Sequence, residues 1–221
     1  PAAFAQSPPE SLSFFKNYFV TGDYVSSGVG LTGQGDATGY ATNTITLNGI
    51  PSNGVVVAAF LYWATVEATT APSSNNAFFQ GYSIVGKSIG GQTPPCWSSG
   101  GGTGTSNGTK TLRVYRADVR PYIILNGQPS TNGTYQVRVR DSGSNGNTTP
   151  LAEGASLVVI YQVANAPLRS VVMYDGAYSM NNTTQSMFVT LRGFYQSSAA
   201  PGSMDGHLTH LVANGQANFT E

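Results

Sequence analysis

Two stretches of this chain, Val55 to Ala64 and Ala155 to Val163, are apolar almost without interruption, and they constrain the fold more than any other feature. Both are strand-length and rich in β-branched and aromatic residues. A strand with one wet face alternates apolar and polar side chains, so a continuous run implies cover on both faces. A second layer must therefore lie against the sheet that contains them. Elsewhere the alternation is clean: Tyr135, Val137 and Val139 interleave with Gln136, Arg138 and Arg140, and Leu112 and Val114 with Arg113 and Tyr115. No segment sustains a 3.6-residue apolar period.

Further strands are predicted near Phe15 to Val25, Ala41 to Leu47, Ala77 to Val85, Arg169 to Tyr174, Met187 to Phe194 and Leu208 to Val212. Asn48-Gly49, Asn53-Gly54, Asn126-Gly127 and Asn132-Gly133 supply residues that tolerate positive φ in tight turns. One helical turn is expected over Ala117 to Arg120, with Pro121 discouraging helix before it. Ser88 to Thr109 and Asp141 to Glu153 read as long irregular loops. The expectation is an all-β fold: a two-layer antiparallel β-sandwich, jelly-roll-like, with about ten strands and little helix. Residues 1–12 form a flexible lead and 13–221 one domain, whose abrupt end at Asn214 to Glu221 suggests that the domain continues.

Charge narrows the range of partners. Only 9% of the 221 residues are charged, 10 basic against 10 acidic and without a basic block, so there is no footprint for nucleic acid or an anionic membrane surface. No apolar run reaches the roughly 20 residues of a membrane span. Gly, Ser, Thr and Asn take the place of charge, the texture of an extracellular protein, and a weakly charged surface offers little self-repulsion against copies of itself. Ala3-Phe4-Ala5 has the Ala-x-Ala form of a signal-peptidase site, which points to secretion, although a plain Ala/Pro terminus reads the same. The lone Cys96 sits in a Gly/Ser/Thr/Pro loop and does not decide the redox compartment.

Few constellations carry chemistry. Asp141, Asn145 and Asn147, with Glu153 downstream, form a candidate calcium loop of closely spaced oxygen ligands followed by a carboxylate. Gly143 stands where a second ligand belongs and the acid arrives one residue late, so an ordinary Asx-rich loop is the competing reading. His207 and His210 are three apart, on opposite faces of any strand. Glu67 and Glu153 end the two apolar runs and could serve as paired carboxylates, or Glu67 as partner to Lys87 or Lys110 in an isopeptide bond. The plainer reading is that each acid caps its strand. No constellation supports a nucleophilic triad, and the chain is not expected to be an enzyme.

Five blocks, Asn17 to Tyr24, Ala59 to Thr65, Tyr115 to Val119, Glu153 to Tyr161 and Pro167 to Gly176, resemble a poorly characterised class of secreted bacterial β-sandwich domains of cell-surface and extracellular-matrix proteins. The resemblance implies location and architecture and carries no catalytic residue. The functional expectation is an extracellular structural protein, a self-assembling subunit of a filament, sheath or matrix whose partners are copies of itself. Assembly would run by strand addition, with Ser11 to Val25 as donor and Phe14, Phe15, Tyr18, Val20 and Tyr24 as contact residues. An ordinary first strand would look identical. The alternative is an adhesive or carbohydrate-binding sandwich, with glycans or other surface proteins as partners and exposed Tyr and Trp as sugar platforms.

Overall fold

Residues 12–68, 71–93, 110–124, 131–143, 148–178, 187–193 and 206–213 are described by a computed structural model. Among them are ten strands, β1 (Ser13–Gly30), β2 (Tyr40–Leu47), β3 (Val55–Glu67), β4 (Asn76–Phe79), β5 (Tyr82–Val85), β6 (Lys87–Thr93), β7 (Thr111–Asp118), β8 (Gly133–Arg140), β9 (Leu151–Gln162) and β10 (Leu168–Asp175), and one short helix, α1 (Arg120–Ile124). All pairings are antiparallel, in a sheet ordered β10-β1-β9-β3-β7-β6 and a second ordered β2-β8-β4-β5. The protein is an all-β, sandwich-like fold.

The two apolar runs are β3 and β9, neighbours at the centre of the larger sheet. Their odd-numbered positions Leu61, Trp63, Leu157 and Val159 face the smaller sheet, where they meet Ile45, Leu47, Phe79 and Val137 in the main core. Trp63 stacks on Tyr115 at 5.6 Å between centroids and donates from Nε1 to the Ser74 carbonyl at 3.0 Å. Gly86 passes so close to the Trp63 ring that a Cβ there would overlap it.

The even-numbered positions Ala58, Phe60, Tyr62, Val158 and Ile160 form a second cluster on the opposite face, together with Val20 of β1 and Val171 of β10. This cluster explains the second cover. β1 changes partners along its length: Gly22 to Gly30 pair with β9, and Ser13 to Thr21 pair with β10. In the sheet plane the β1 residue level with Phe60 is Ser26, through Val158. An unbent strand would carry Phe15, eleven residues earlier, roughly 36 Å along from that level. Instead the Phe15 and Phe60 rings meet edge to face at 5.3 Å. The first half of β1 therefore turns out of the sheet and, with β10, lies as a two-stranded ribbon across its outer face. Gly22 sits at the turning point, where any Cβ would overlap the Tyr161 carbonyl.

The expected strand count is met by a different set of strands. Ala77 to Val85 divides into β4 and β5 around Gln80 (φ 52°) and Gly81 (φ 81°), the paired positive φ of a type I′ turn. β6 occupies the start of the segment read as a loop from Ser88, and Leu151 to Glu153 belong to β9. Residues 187–193 and 206–212 carry no strand. The short helix starts at Arg120 and takes in Pro121, whose fixed φ and missing N–H suit a first turn. Asp118 Oδ1 accepts the Arg120 N–H there at 3.0 Å. No helix among the described residues is long and apolar enough to cross a membrane.

Gly22→Ala is expected to cost about 1–3 kcal/mol through backbone displacement at the bend. A urea unfolding midpoint equal to that of the parent would show that the bend does not depend on this close approach.

Candidate functional site

The seat of the N-terminal strand is the most extensive contact among the residues singled out from sequence. Val20 is buried in the outer cluster, with Phe15, Tyr18 and Tyr24 packed against it. Arg116 of β7 lays its guanidinium over the Phe15 ring, 3.3 Å from the centroid, and forms an ion pair with Asp175 at the end of β10. Phe14 stands apart from the cluster, more than half exposed, and meets Tyr174 edge to face at 5.9 Å. The Tyr24 hydroxyl shares a hydrogen bond with Thr209 Oγ1 at 2.8 Å, and its ring stacks on His207 at 5.8 Å. Tyr18 buries its hydroxyl without a hydrogen-bond partner among the described residues, and that burial raises its pKa. Sequence pattern singled out these side chains as contacts to another copy; here they pack within one chain. It missed Gly22 and Arg116, whose roles depend on a bend and on a strand far away in sequence.

Asp141 and Glu153 are brought to one buried corner, whereas Asn145 and Asn147 lie outside the described residues. Glu153 is the extra residue of a β-bulge: Ala64 pairs with Gly154 and Thr65 with Ala152, which leaves Glu153 without an opposite number on β3. Its Oε2 accepts from Thr32 Oγ1 at 3.1 Å. Both Asp141 oxygens accept backbone N–H groups, Oδ1 from Gly143 at 2.8 Å and Oδ2 from Ala152 at 2.7 Å. Burial first, with the Asp141 charge adding to it against the opposing Thr32 hydrogen bond, lifts the Glu153 carboxyl to about 7. Among the described residues no group of three His, Cys, Asp or Glu could hold a metal ion.

Glu67 is fully buried, and its carboxylate is enclosed by donors. Oε1 accepts from Thr65 Oγ1 at 2.9 Å and from the Tyr115 hydroxyl at 2.5 Å, while Oε2 accepts from the Ser73 N–H and Oγ at 2.8 and 2.7 Å. Arg113, equally buried, pairs with it at 3.6 Å. Burial, then the Glu67 hydrogen bond and charge, push the Tyr115 phenol up. The network ties residues 71–75 to the end of β3, beside the Trp63 bond to Ser74. Lys87 is exposed on β6, and the groove bounded by Phe14, Phe15, Lys87, Ile89, Arg116 and Asp175 contains neither Glu67 nor Glu153. The cap that sequence reading assigned to each acid is a buried anchor in both cases.

Neither protein-family models, nor curated proteins, nor solved structures give a match to this chain.

Two outcomes follow from these carboxyls. Glu67→Ala leaves Arg113 buried against a cavity and is expected to destabilise by about 3–5 kcal/mol in urea unfolding. For Glu153 the folded-state pKa lies above the ordinary 4.5, so the folded protein holds the extra proton and this group erodes stability as pH rises from about 4.5 to 7. Glu153→Gln removes that loss, up to about 3 kcal/mol. The variant should gain on the parent across this range and keep a constant margin above it. Parallel stability profiles would contradict the assignment.

Proposed function

We propose that this protein is an extracellular structural subunit that assembles with copies of itself into a filament, sheath or matrix by exchanging the first half of β1. The observation that carries the reading is the division of the apolar interior. The main core joins the two sheets, while Phe15, Tyr18 and Val20 belong to a separate cluster on the outer face. Residues 13–21 could leave without opening the main core, and their departure uncovers Ala58, Phe60, Tyr62, Val158 and Ile160 together with the inner edge of β10. The same segment of a neighbouring copy fits that seat residue for residue, because exchange recreates contacts the chain already makes.

Physical circumstances favour exchange over permanent closure. Gly22 supplies a bend where the exchanged and retained halves separate. Main-chain hydrogen bonds to β10 provide affinity, and the pockets for Phe15 and Val20 fix register. The weak surface charge leaves copies free to approach. Secretion and the likeness to bacterial surface domains belong to the same reading.

A disulfide between Phe19→Cys and Ser170→Cys, register partners on the exposed side of the ribbon, tests it in a Cys96→Ser background. Oxidised as monomer, the lock should hold the chain single in electron micrographs, with ordered assembly returning on reduction. Oxidised after assembly, the same cysteines should join different chains and give a ladder on a non-reducing gel. Assemblies whose disulfides all stay within one chain would overturn the exchange.

A further inference from the structure

The chain is neutral as a whole, yet its charges are unevenly placed. Of the described acids, Glu67, Asp141 and Glu153 are buried, and Asp23 and Asp175 pair with Arg169 and Arg116. The smaller sheet shows the opposite bias. Its four strands contain no Asp or Glu, and their only charged residues are Arg138 and Arg140 of β8. Strand alternation turns Ala41, Ile45, Tyr135, Val137, Val139 and Phe79 into the core and turns both arginines outward.

These arginines are organised on that outer face. Tyr40 of β2 and Phe78 of β4 flank β8, with their rings 5.4 Å apart and steeply inclined at 73°. The Arg138 guanidinium lies 4.9 Å from the Tyr40 centroid and 5.2 Å from that of Phe78. Arg140 approaches Tyr40 at 5.7 Å. Arg138 also donates to Thr38 Oγ1 at 3.3 Å, and Thr38 in turn donates to Asp36, the acid whose carboxylate feels the Arg138 charge. Two cations face that one acid, so the face is net positive. These cation–π contacts hold each guanidinium beside a ring, and a guanidinium so placed has N–H groups to offer a planar anion. Around them the same face presents Thr42, Thr44, Thr134, Gln136, Asn76 and Ser83, a field of hydroxyls and amides on a lane about 25 Å long.

We propose that the outer face of the β2-β8-β4-β5 sheet binds an acidic, carboxylate-bearing polysaccharide, with Arg138 and Arg140 as the anion contacts and Tyr40 and Phe78 as the ring platform. The Arg fork matches a carboxylate in two parallel hydrogen bonds, which selects an acidic sugar over a neutral one. The aromatic faces accept the apolar side of a sugar ring, and the flanking hydroxyls and amides match its alcohols. Two cations are too few to track a nucleic-acid backbone, whose charge recurs at every nucleotide. A second copy is a poor occupant, since the described acids are mostly buried or already paired. The site lies on the sheet opposite the ribbon, so it does not depend on strand exchange.

Native gel electrophoresis through matrices containing polygalacturonate or neutral dextran tests the assignment on the full chain. Polygalacturonate should retard the protein, the more strongly the lower the salt, and dextran should not. Arg138→Gln with Arg140→Gln should weaken binding at least roughly tenfold, the loss of charge-assisted hydrogen bonds. Lys16→Gln with Lys87→Gln, an equal loss of charge at exposed positions on the other sheet, should leave it unchanged. If the arginine pair alters the circular dichroism melt, Arg140→Gln alone, at an exposed position, carries the comparison. Equal retardation by dextran, equal losses in both double variants, or tighter retention by oligo-thymidine than by polygalacturonate would overturn the proposal.

Discussion

β3 and β9 lie side by side with apolar side chains on both faces, and water has to be kept from each face by different means. The inner face is covered by the smaller sheet, with Trp63 at its centre, stacked on Tyr115 and tied to Ser74. The outer face is covered by the ribbon of β1 and β10. Every other arrangement in the larger sheet follows from this double requirement. β1 must serve two partners, the chain must bend at Gly22, and β10 must continue the line of β9 along the turned-out half of β1.

The buried carboxyls show how the strand ends are secured in a protein with so little charge. Glu67 gathers Thr65, Tyr115, Ser73 and Arg113 at the end of β3 and so fixes the loop that leads to β4. Asp141 accepts the Ala152 N–H at the bulged start of β9, and Glu153 reaches the Thr32 hydroxyl after β1. Each acid joins segments distant in sequence, which local turn chemistry cannot do. With most described acids spent inside or in pairs, the arginines of β8 are left to define the electrostatics of one outer face.

The assembly reading and the polysaccharide reading use opposite sides of the molecule. In the assembly proposal the ribbon side supplies the exchanged segment, and in the polysaccharide proposal the sheet side supplies a cationic, aromatic lane. A subunit with both would link to its own kind on one side and hold a surrounding acidic polymer on the other, which is what a matrix component requires.

Much of the fold was legible in the residues themselves. The continuous runs at Val55 and Ala155 demanded two covers, and the alternation in β7 and β8 assigned their faces, because burial acts on each side chain according to strand period. Phe14, Phe15, Tyr18, Val20 and Tyr24 read as contacts to another copy, and within the chain all but Phe14 pack in the outer cluster. Sequence left open whose sheet they would cover, since main-chain pairing is blind to whether its partner lies in the same chain. It predicted strands at Met187 to Phe194 and Leu208 to Val212, where residues 187–193 and 208–212 carry none, because apolar alternation alone does not supply a pairing partner. It could not reveal the bend at Gly22, the bulge at Glu153 or the meeting of Tyr40, Phe78 and Arg138, because each is a contact between segments far apart in the chain. Local pattern determined most of the strands and which way they face; only the tertiary structure decided which strands meet, because that choice rests on burying both faces of β3 and β9 at once.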